Sequence, residues 1–131
     1  MLRAVRGVAN ASLSSSHAVM HAARLRRGED IARVRAEGVA RNDKLFSLRA
    51  LKNDELAVRV AVSSSRGVGG AVKRNRARRR IREAVRIALH ERGGACDPGM
   101  DLVWLARPAA LVASPREVRG AVERELDQVL P

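Results

Sequence analysis

The sequence predicts an α/β sandwich of the α+β kind, with helices packed against one sheet, and three patterns support this class. Two segments alternate apolar and polar residues with the period of two that is typical of half-buried strands. A third segment, around Trp104, is apolar throughout, as expected of a central strand buried on both faces. Elsewhere, apolar residues recur at three- and four-residue spacing, which indicates amphipathic helices. A chain of 131 residues that is 46% hydrophobic can bury one core, so we expect one domain.

The first helix is predicted over residues 29–37. Gly28 is a permissive N-cap and Gly38 ends the helix. Ile31 and Val34 lie on one side of it and are expected to supply its contact with the core.

Two strands are predicted next, over residues 44–51 and 56–63, with a turn at Asn53 and Asp54 between them. Small or polar residues occupy one face of the second strand, which leaves room there for the backbone of a ligand. The apolar faces consist of Phe46, Leu48, Ala50, Val58, Val60 and Val62.

A long basic helix is predicted after the glycines at 67, 69 and 70, and it ends near Glu91, ahead of Gly93 and Gly94. Its apolar stripe begins only at Ala77, so the first turn has little to bury. We therefore expect Arg74 and Arg78 to project toward a partner. The stripe consists of Ala77, Ile81, Ala84, Val85, Ala88 and Leu89, and the opposite side carries Asn75, Arg79, Arg82 and Arg86.

The C-terminal part is predicted to hold a turn at residues 97–99, a buried strand at 101–106 and a final helix. Ser114 is the N-cap of that helix, Pro115 its first residue, and Glu117 completes a capping box. Its apolar stripe consists of Val118, Val122, Leu126 and Val129.

The charge distribution predicts a nucleic-acid partner. The chain has 26 basic and 14 acidic residues, a net charge of +12. Nine cationic side chains and one anionic side chain, Glu83, lie between Arg66 and Arg86. Solvated basic faces are usually balanced by acidic residues four positions away, and only Glu83 is available for this here. A polyanion such as RNA, which releases counterions when arginines bind its phosphates, is the partner this pattern favours.

Several other classes of protein are disfavoured. The one cysteine, Cys96, excludes an internal disulfide framework and suits a reducing cytoplasm. No apolar run approaches the roughly 18 residues that a membrane span needs. The acidic residues are scattered and no histidine pair offers acid-base catalysis, so we expect no catalytic group in the protein. The absence of a zinc finger, of a dimerisation heptad and of a helix-turn-helix disfavours a DNA-binding regulator.

Residues 1–22 differ in composition, since Arg3 and Arg6 are their only charged residues. Three interpretations stay open: a disordered N-terminal extension, an organellar presequence, or a segment that precedes a true start at Met20. We expect the RNA-binding domain to comprise residues 23–131.

The segment at residues 69–86, with Arg74, Asn75 and Arg76 near its start, resembles the signature of the bacterial ribonuclease P protein component. Residues 25–31, 59–63 and 101–107 extend the resemblance in the same order, so that it covers about residues 25–130. The chain departs from the family pattern in having no tyrosine and in having Ile31 and Arg49 where aromatic residues are frequent. Base stacking in a cleft of this protein would therefore depend on guanidinium planes.

The resemblance implies the element order α-β-β-β-α-β-α with a left-handed β-α-β crossover, as in ribosomal protein S5 domain 2-like folds. It implies a ribonuclease P subunit that binds ribonuclease P RNA, and a complex that removes the 5′ leader of precursor tRNA. The catalytic groups and most of the Mg²⁺ coordination would belong to the RNA, and the location would be the bacterial cytoplasm, with no membrane contact and no obligate protein partner. A ribosomal or other structural RNA-binding protein is the alternative that the charge pattern alone leaves open.

The family's functional residues carry over to two surfaces. The surface on the catalytic RNA would consist of Lys73, Arg74, Asn75, Arg76, Arg78, Arg79, Arg82 and Arg86. The cleft for the leader, between the first helix and the sheet, would be lined by Arg35, Arg49, Ser63, Ser65 and Arg66.

Overall fold

The computed structural model of the protein describes residues 23–93, 96 and 98–131. Its strands are β1 (Ala23–Arg24), β2 (Val39–Asn42), β3 (Phe46–Asn53), β4 (Val58–Ser64) and β5 (Gly99–Ala106). Its helices are α1 (Gly28–Glu37), α2 (Ala71–Glu91) and α3 (Pro115–Val129), with short 3-10 turns at Arg66–Val68 and Pro108–Leu111. The predictions made for residues 1–22, Gly94 and Asp97 lie outside the described residues.

The strands form a five-stranded sheet in the order β1-β4-β5-β3-β2. Central β5 pairs with β4 in parallel and with β3 antiparallel. Because α2 connects the parallel pair β4 and β5, these three elements form the β-α-β unit that the resemblance implies. The order α-β-β-β-α-β-α is confirmed, with β1 as an additional short strand ahead of α1. The left hand of the crossover stays a prediction.

Helices lie on both faces of the sheet, which confirms the predicted packing of helices against one sheet. The main core lies between the sheet and the helices α2 and α3, where Trp104 and Phe46 are fully buried. Their ring centroids are 5.0 Å apart with the planes at 68°, an edge-on contact, which confirms that both aromatic residues belong to the core. On the other face, α1 buries Val34 against Val103, with Leu25 beside them.

The boundary between α1 and β2 depends on a close approach of backbones at Gly38. A Cβ atom at this position would lie 2.5 Å from the carbonyl oxygen of Val34 and 3.0 Å from that of Ala50. Only glycine fits between the end of the helix and the sheet, so Gly38 ends α1 as predicted. The N-cap prediction was wrong by one position, because Arg27 is the N-cap and Gly28 is the first helical residue.

Five strand boundaries differ from prediction by one or two residues, since β3 spans Phe46–Asn53, β4 spans Val58–Ser64 and β5 spans Gly99–Ala106. Asn53 is the last residue of β3 and is buried, because its side chain bonds to neighbouring strands. Leu56 lies outside β4, since its φ of 57° is incompatible with an extended strand. The central strand begins at Gly99, two residues earlier than predicted. The strand β2 has too few apolar residues for its alternation to be visible in the sequence.

The two C-terminal helices agree closely with prediction. All six residues predicted for the stripe of α2 are buried. The N-terminus of α3 has the complete capping box, in which Glu117 N donates to Ser114 Oγ and Ser114 N donates to Glu117 Oε1. The stripe of α3 packs on the same core, with Val118, Val122 and Leu126 buried and Val129 half-buried.

Candidate nucleic-acid interface

The outward side of α2 is strongly basic, and burial of its underside fixes which residues point outward. Ala77, Ile81 and Val85 anchor the helix to the sheet. We call the polar residues predicted to contact RNA the basic face. They are Lys73, Arg74, Asn75, Arg76, Arg78, Arg79, Arg82 and Arg86, of which Arg74 and Arg78 are half-buried and the others exposed.

The side chains of the basic face differ in whether they already bond to other parts of the protein. Among the described residues, the side chains of four members have no hydrogen-bond or ion-pair partner, namely Lys73, Arg76, Arg79 and Arg82. These side chains are cations without internal compensation, which suits them to bind an external anion.

Arg74 and Arg78 fold back onto the protein and do not project freely as the pattern predicted. Arg74 Nη1 donates to the carbonyl oxygen of Gly69 at 2.9 Å, at the entrance to the helix. Arg78 donates to Asn75 Oδ1 and, at 3.4 Å, to Ser64 Oγ at the end of β4. Both guanidinium groups are therefore held in place, and each keeps further N–H donors for a ligand.

Arg80 has a structural role, although it lies in the middle of the basic segment. Its guanidinium donates to the carbonyl oxygen of Leu111 at 2.8 Å and also to that of Ala113. These carbonyls belong to the connection that leads into α3, so Arg80 ties α2 to that connection.

Glu83 neutralises one member of the basic face. It accepts hydrogen bonds from Arg86, one helical turn away, and the pair forms an exposed ion pair. The hydrogen bond from Arg86 lowers the pKa of Glu83, and the same bond raises the pKa of Arg86. Glu83 is thus ionised at neutral pH and reduces the local positive charge at this end of the basic face.

The predicted cleft would lie on the face of the sheet that carries α1. A row of residues that lie opposite one another across β3, β5 and β4 is called a rung here. One rung consists of Arg49, Val103 and Ala61, and α1 covers its middle. The next rung consists of Ser47, Leu105 and Ser63. All three of these residues are half-buried and lie outside the α1 cluster, so this rung forms an open floor beside the helix.

The residues predicted to line the cleft belong to several elements of the fold. Arg49 Nη1 donates to the carbonyl oxygen of Arg35 at 2.8 Å, which joins β3 to α1 on one side of the cleft. Ser63 lies on the other side, on β4, which is two strand spacings or about 10 Å from β3. Ser65 and Arg66 follow at the end of β4, where Ser65 N donates to the carbonyl oxygen of Ala106 at 2.9 Å.

Sequence reasoning missed three residues of this cleft, Ser47, Leu105 and Arg107. The floor residues Ser47 and Leu105 share a rung with Ser63, a relationship that depends on strand register and is invisible without the sheet. Arg107 follows Leu105 by two residues and therefore lies on the same side of the chain. Its guanidinium donates to Asn42 Oδ1 at 2.9 Å. The sequence pattern that could have placed Leu105 and Arg107 on this face is the alternation, with a period of two, of Val103, Leu105 and Arg107.

In the described part of the chain, no group of three or more His, Cys, Asp or Glu side chains is arranged to hold a metal ion. The same residues include no helix that is both long and apolar enough to cross a membrane.

An α+β fold that presents unpaired arginines on one helix belongs to the class of proteins suited to bind a polyanion such as RNA. The family model described as Ribonuclease P matches residues 19–130, and the chain belongs to this family. It is the protein subunit of ribonuclease P, which acts in tRNA processing with RNA as the catalytic part.

Individual relatives agree with this assignment. The ribonuclease P protein component of Roseiflexus castenholzii is 38% identical over 107 residues, which are 80% of this chain and 84% of that protein. The component from Clostridioides difficile is 32% identical over 99 residues, with coverage of 76% and 84%.

Solved structures confirm the fold. The Staphylococcus aureus ribonuclease P protein superposes with a TM-score of 0.66 at 21% identity, covering 84% of this chain and 99% of that one. The Thermotoga maritima protein gives a TM-score of 0.60 at 24% identity, with coverage of 77% and 96%. A structural RNA-binding protein with no link to an enzyme, the alternative left open by charge alone, is set aside by the family match.

Proposed function

We propose that the basic face of α2 binds the ribonuclease P RNA, and that the cleft beside α1 binds the 5′ leader of precursor tRNA. The observation that carries the first part is the set of four cations, Lys73, Arg76, Arg79 and Arg82, that have no partner among the described residues. Like charges held this close together on one helix repel each other. An RNA backbone removes that repulsion and gains bidentate arginine contacts.

The open rung of Ser47, Leu105 and Ser63 supports the second part. An extended single strand needs a shallow floor with polar groups and cations at its sides. Arg49 and Arg35 lie at one side of this floor, and Ser65 and Arg66 lie at the end of β4. Without aromatic residues in the cleft, the guanidinium planes of these arginines take the role of stacking platforms.

The Mg²⁺ ions belong mainly to the RNA in this proposal. Divalent metal catalysis of phosphodiester cleavage requires clustered oxygen ligands, and the described acidic residues form no such group. The protein would screen phosphates and position the substrate, while the RNA holds the metal ions. We place this complex in the bacterial cytoplasm.

Reconstitution tests the proposal. The protein is added to a bacterial ribonuclease P RNA at low Mg²⁺, and cleavage of precursor tRNA is measured. We expect the protein to restore cleavage and an R76A/R79A double variant to restore it only at higher protein concentration. Arg116, an exposed arginine of α3, provides the matched control variant Arg116→Ala. Equal activation by the double variant and by the control would contradict RNA binding by the basic face.

The leader cleft is tested separately by comparing precursor tRNA with mature tRNA as ligands of the reconstituted complex. We expect the protein to increase affinity for precursor tRNA more than for mature tRNA, because only the precursor carries a leader. The same increase for both ligands would contradict the cleft while leaving the proposal for the basic face intact.

A further inference from the structure

A groove of about 470 Å³ separates β1 from the C-terminal half of α2, at the edge of the sheet. We infer that this β1–α2 groove receives an unstacked nucleobase of the ribonuclease P RNA. The inference rests on the proposed function of the basic face and adds a base contact to its phosphate contacts.

Four arginines form the walls of the β1–α2 groove. Arg24 and Arg26 come from the segment around β1, and Arg82 and Arg86 come from α2. No acidic residue lines the groove, although Glu83 pairs with Arg86 from outside it. Arg82 has no partner among the described residues. Charge complementarity therefore selects an anionic occupant.

The floor of the groove is apolar. Val60 and Val62 of β4 and Val85 of α2 lie there, and both residues of β4 are only partly buried. A phosphate would gain nothing from contact with valine side chains, whereas the face of a base would bury apolar surface against them. The combination of cationic walls and an apolar floor fits a nucleotide, with its base inside and its phosphates at the arginines.

The edge of β4 adds backbone N–H and C=O groups that can bond to the polar edge of a base. Leu25 N donates to the carbonyl oxygen of Val60 at 2.8 Å, and β1 ends at Arg24. Successive residues of a strand direct their N–H and C=O groups to opposite edges. The N–H and C=O groups of Val62, two residues after Val60, therefore project from the same edge as those of Val60. No described strand pairs with this edge beyond Val60. An inserted base thus meets backbone donors and acceptors.

The position of the groove selects the catalytic RNA over the leader as the source of the base. Arg82 and Arg86 belong to the basic face, so an RNA bound there passes directly over the groove. The proposed leader cleft instead lies at the rung of Ser47, Leu105 and Ser63 on the sheet face that carries α1, a face that the groove reaches only at Ile31 and Ala61. A base that enters the groove would fix the register of the RNA on α2, which phosphate contacts alone do not do.

A groove-filling variant tests the inference. Ala23 is exposed and lines the groove, so Ala23→Ile reduces the space for a base without changing charge. Ala36→Ile is the matched control, because Ala36 is an exposed alanine of α1 that does not line the groove. Affinity for ribonuclease P RNA, without any precursor tRNA, is measured against salt concentration, and thermal unfolding confirms that both variants fold.

We expect Ala23→Ile to weaken RNA binding by about tenfold, which corresponds to the loss of one stacked base, and to leave the salt slope unchanged. The control should bind like the unchanged protein. Equal affinities of the two variants would overturn the inference, and so would a weaker affinity accompanied by a smaller salt slope, which would indicate lost phosphate contacts only. Failure of the unchanged protein to prefer this RNA over bulk competitor RNA would instead refute the proposed function itself.

Discussion

Arg59 holds the carboxylate of Asp101 through two hydrogen bonds, from Nε to Oδ1 and from Nη2 to Oδ2, each 2.7 Å long. Asp101 lies on the central strand and its side chain has 0% exposure, whereas the side chain of Arg59 is 23% exposed. Asn53 Nδ2 donates to the same Oδ1 atom at 2.7 Å, and Asp30 Oδ2 of α1 lies 4.0 Å from Arg59 Nη1. The bond to Asp101 raises the pKa of Arg59. This network joins β3, β4, β5 and α1 on the face of the sheet that carries α1, two rungs away from the floor of Ser47, Leu105 and Ser63.

Replacing Asp101 by alanine should strongly destabilise the protein. The change leaves Arg59 and Asn53 without their shared acceptor, and breaking a buried ion pair from one side costs about 3–5 kcal/mol. The free energy of unfolding measured by urea denaturation checks this value. Asp54→Ala is the matched control, because Asp54 is exposed. A loss below about 1 kcal/mol, the range of surface ion pairs, would show that the network is not a buried one.

The sequence predicted the helices well and the polar network not at all. Hydrophobic period and capping chemistry are local, so α2, the capping box at Ser114 and the apolar central strand could all be inferred. The role of Asp101 depends on a partner 42 positions away, and strand register alone brings it beside Arg59. The short strands β1 and β2 exist because of their neighbours in the sheet and carry no pattern of their own.

In the candidate site, too, local features could be predicted from the sequence and long-range contacts could not. The basic face could be predicted because a helix fixes which residues share a side. The sequence could not distinguish Arg79 from Arg80, because both are arginines in one run. In the structure the Arg79 side chain has no partner among the described residues, whereas that of Arg80 is bonded to the carbonyl oxygen of Leu111. Likewise, the floor residues Ser47 and Leu105 become neighbours of Ser63 only when β3, β5 and β4 align.

Arg80→Ala should therefore affect stability more than RNA binding. The change leaves the carbonyl oxygens of Leu111 and Ala113 without the donor that they share. Loss of hydrogen bonds to a charged donor costs about 1.5–3 kcal/mol. Urea denaturation should show this loss, while the salt slope of RNA binding, measured under folding conditions, should change less than in Arg79→Ala. The opposite ranking would mean that Arg80 binds RNA and that its contacts with the α3 connection are dispensable.

Arg76 and Arg79 should each contribute one phosphate contact. An R76A/R79A double variant should bind ribonuclease P RNA more weakly, and its plot of log K against log salt should flatten by up to about 1.4, at about 0.7 per lost contact. Filter binding over a salt series measures the slope. Arg116→Ala, on the exposed side of α3, should leave it unchanged. An unaltered slope in the double variant would contradict direct phosphate contact.

The capping box of α3 should make stability depend on pH in the acid range. The hydrogen bond that Ser114 N donates lowers the pKa of Glu117 below its ordinary value of 4.5. A group with a lowered folded-state pKa stabilises the protein above its ordinary pKa, and this contribution is lost as pH falls through the folded-state value. Glu117→Gln keeps an acceptor but does not titrate. The stability advantage of the unchanged protein over this variant should therefore shrink between pH 6 and pH 3, and a constant difference would refute the titration of Glu117.

Arg49→Ala should separate substrate binding from assembly. Its guanidinium joins the sheet to α1 through the carbonyl oxygen of Arg35, one rung away from the floor of the proposed cleft, whereas the basic face lies on α2. We expect weaker binding of precursor tRNA to the reconstituted complex, by a factor of about 5 to 10 for one lost charged or stacking contact. Affinity for ribonuclease P RNA alone should stay within about twofold, because no contact of α2 changes. Equal losses for precursor and mature tRNA would show that Arg49 acts on the shared tRNA body, and a loss of RNA affinity would place Arg49 in the assembly surface.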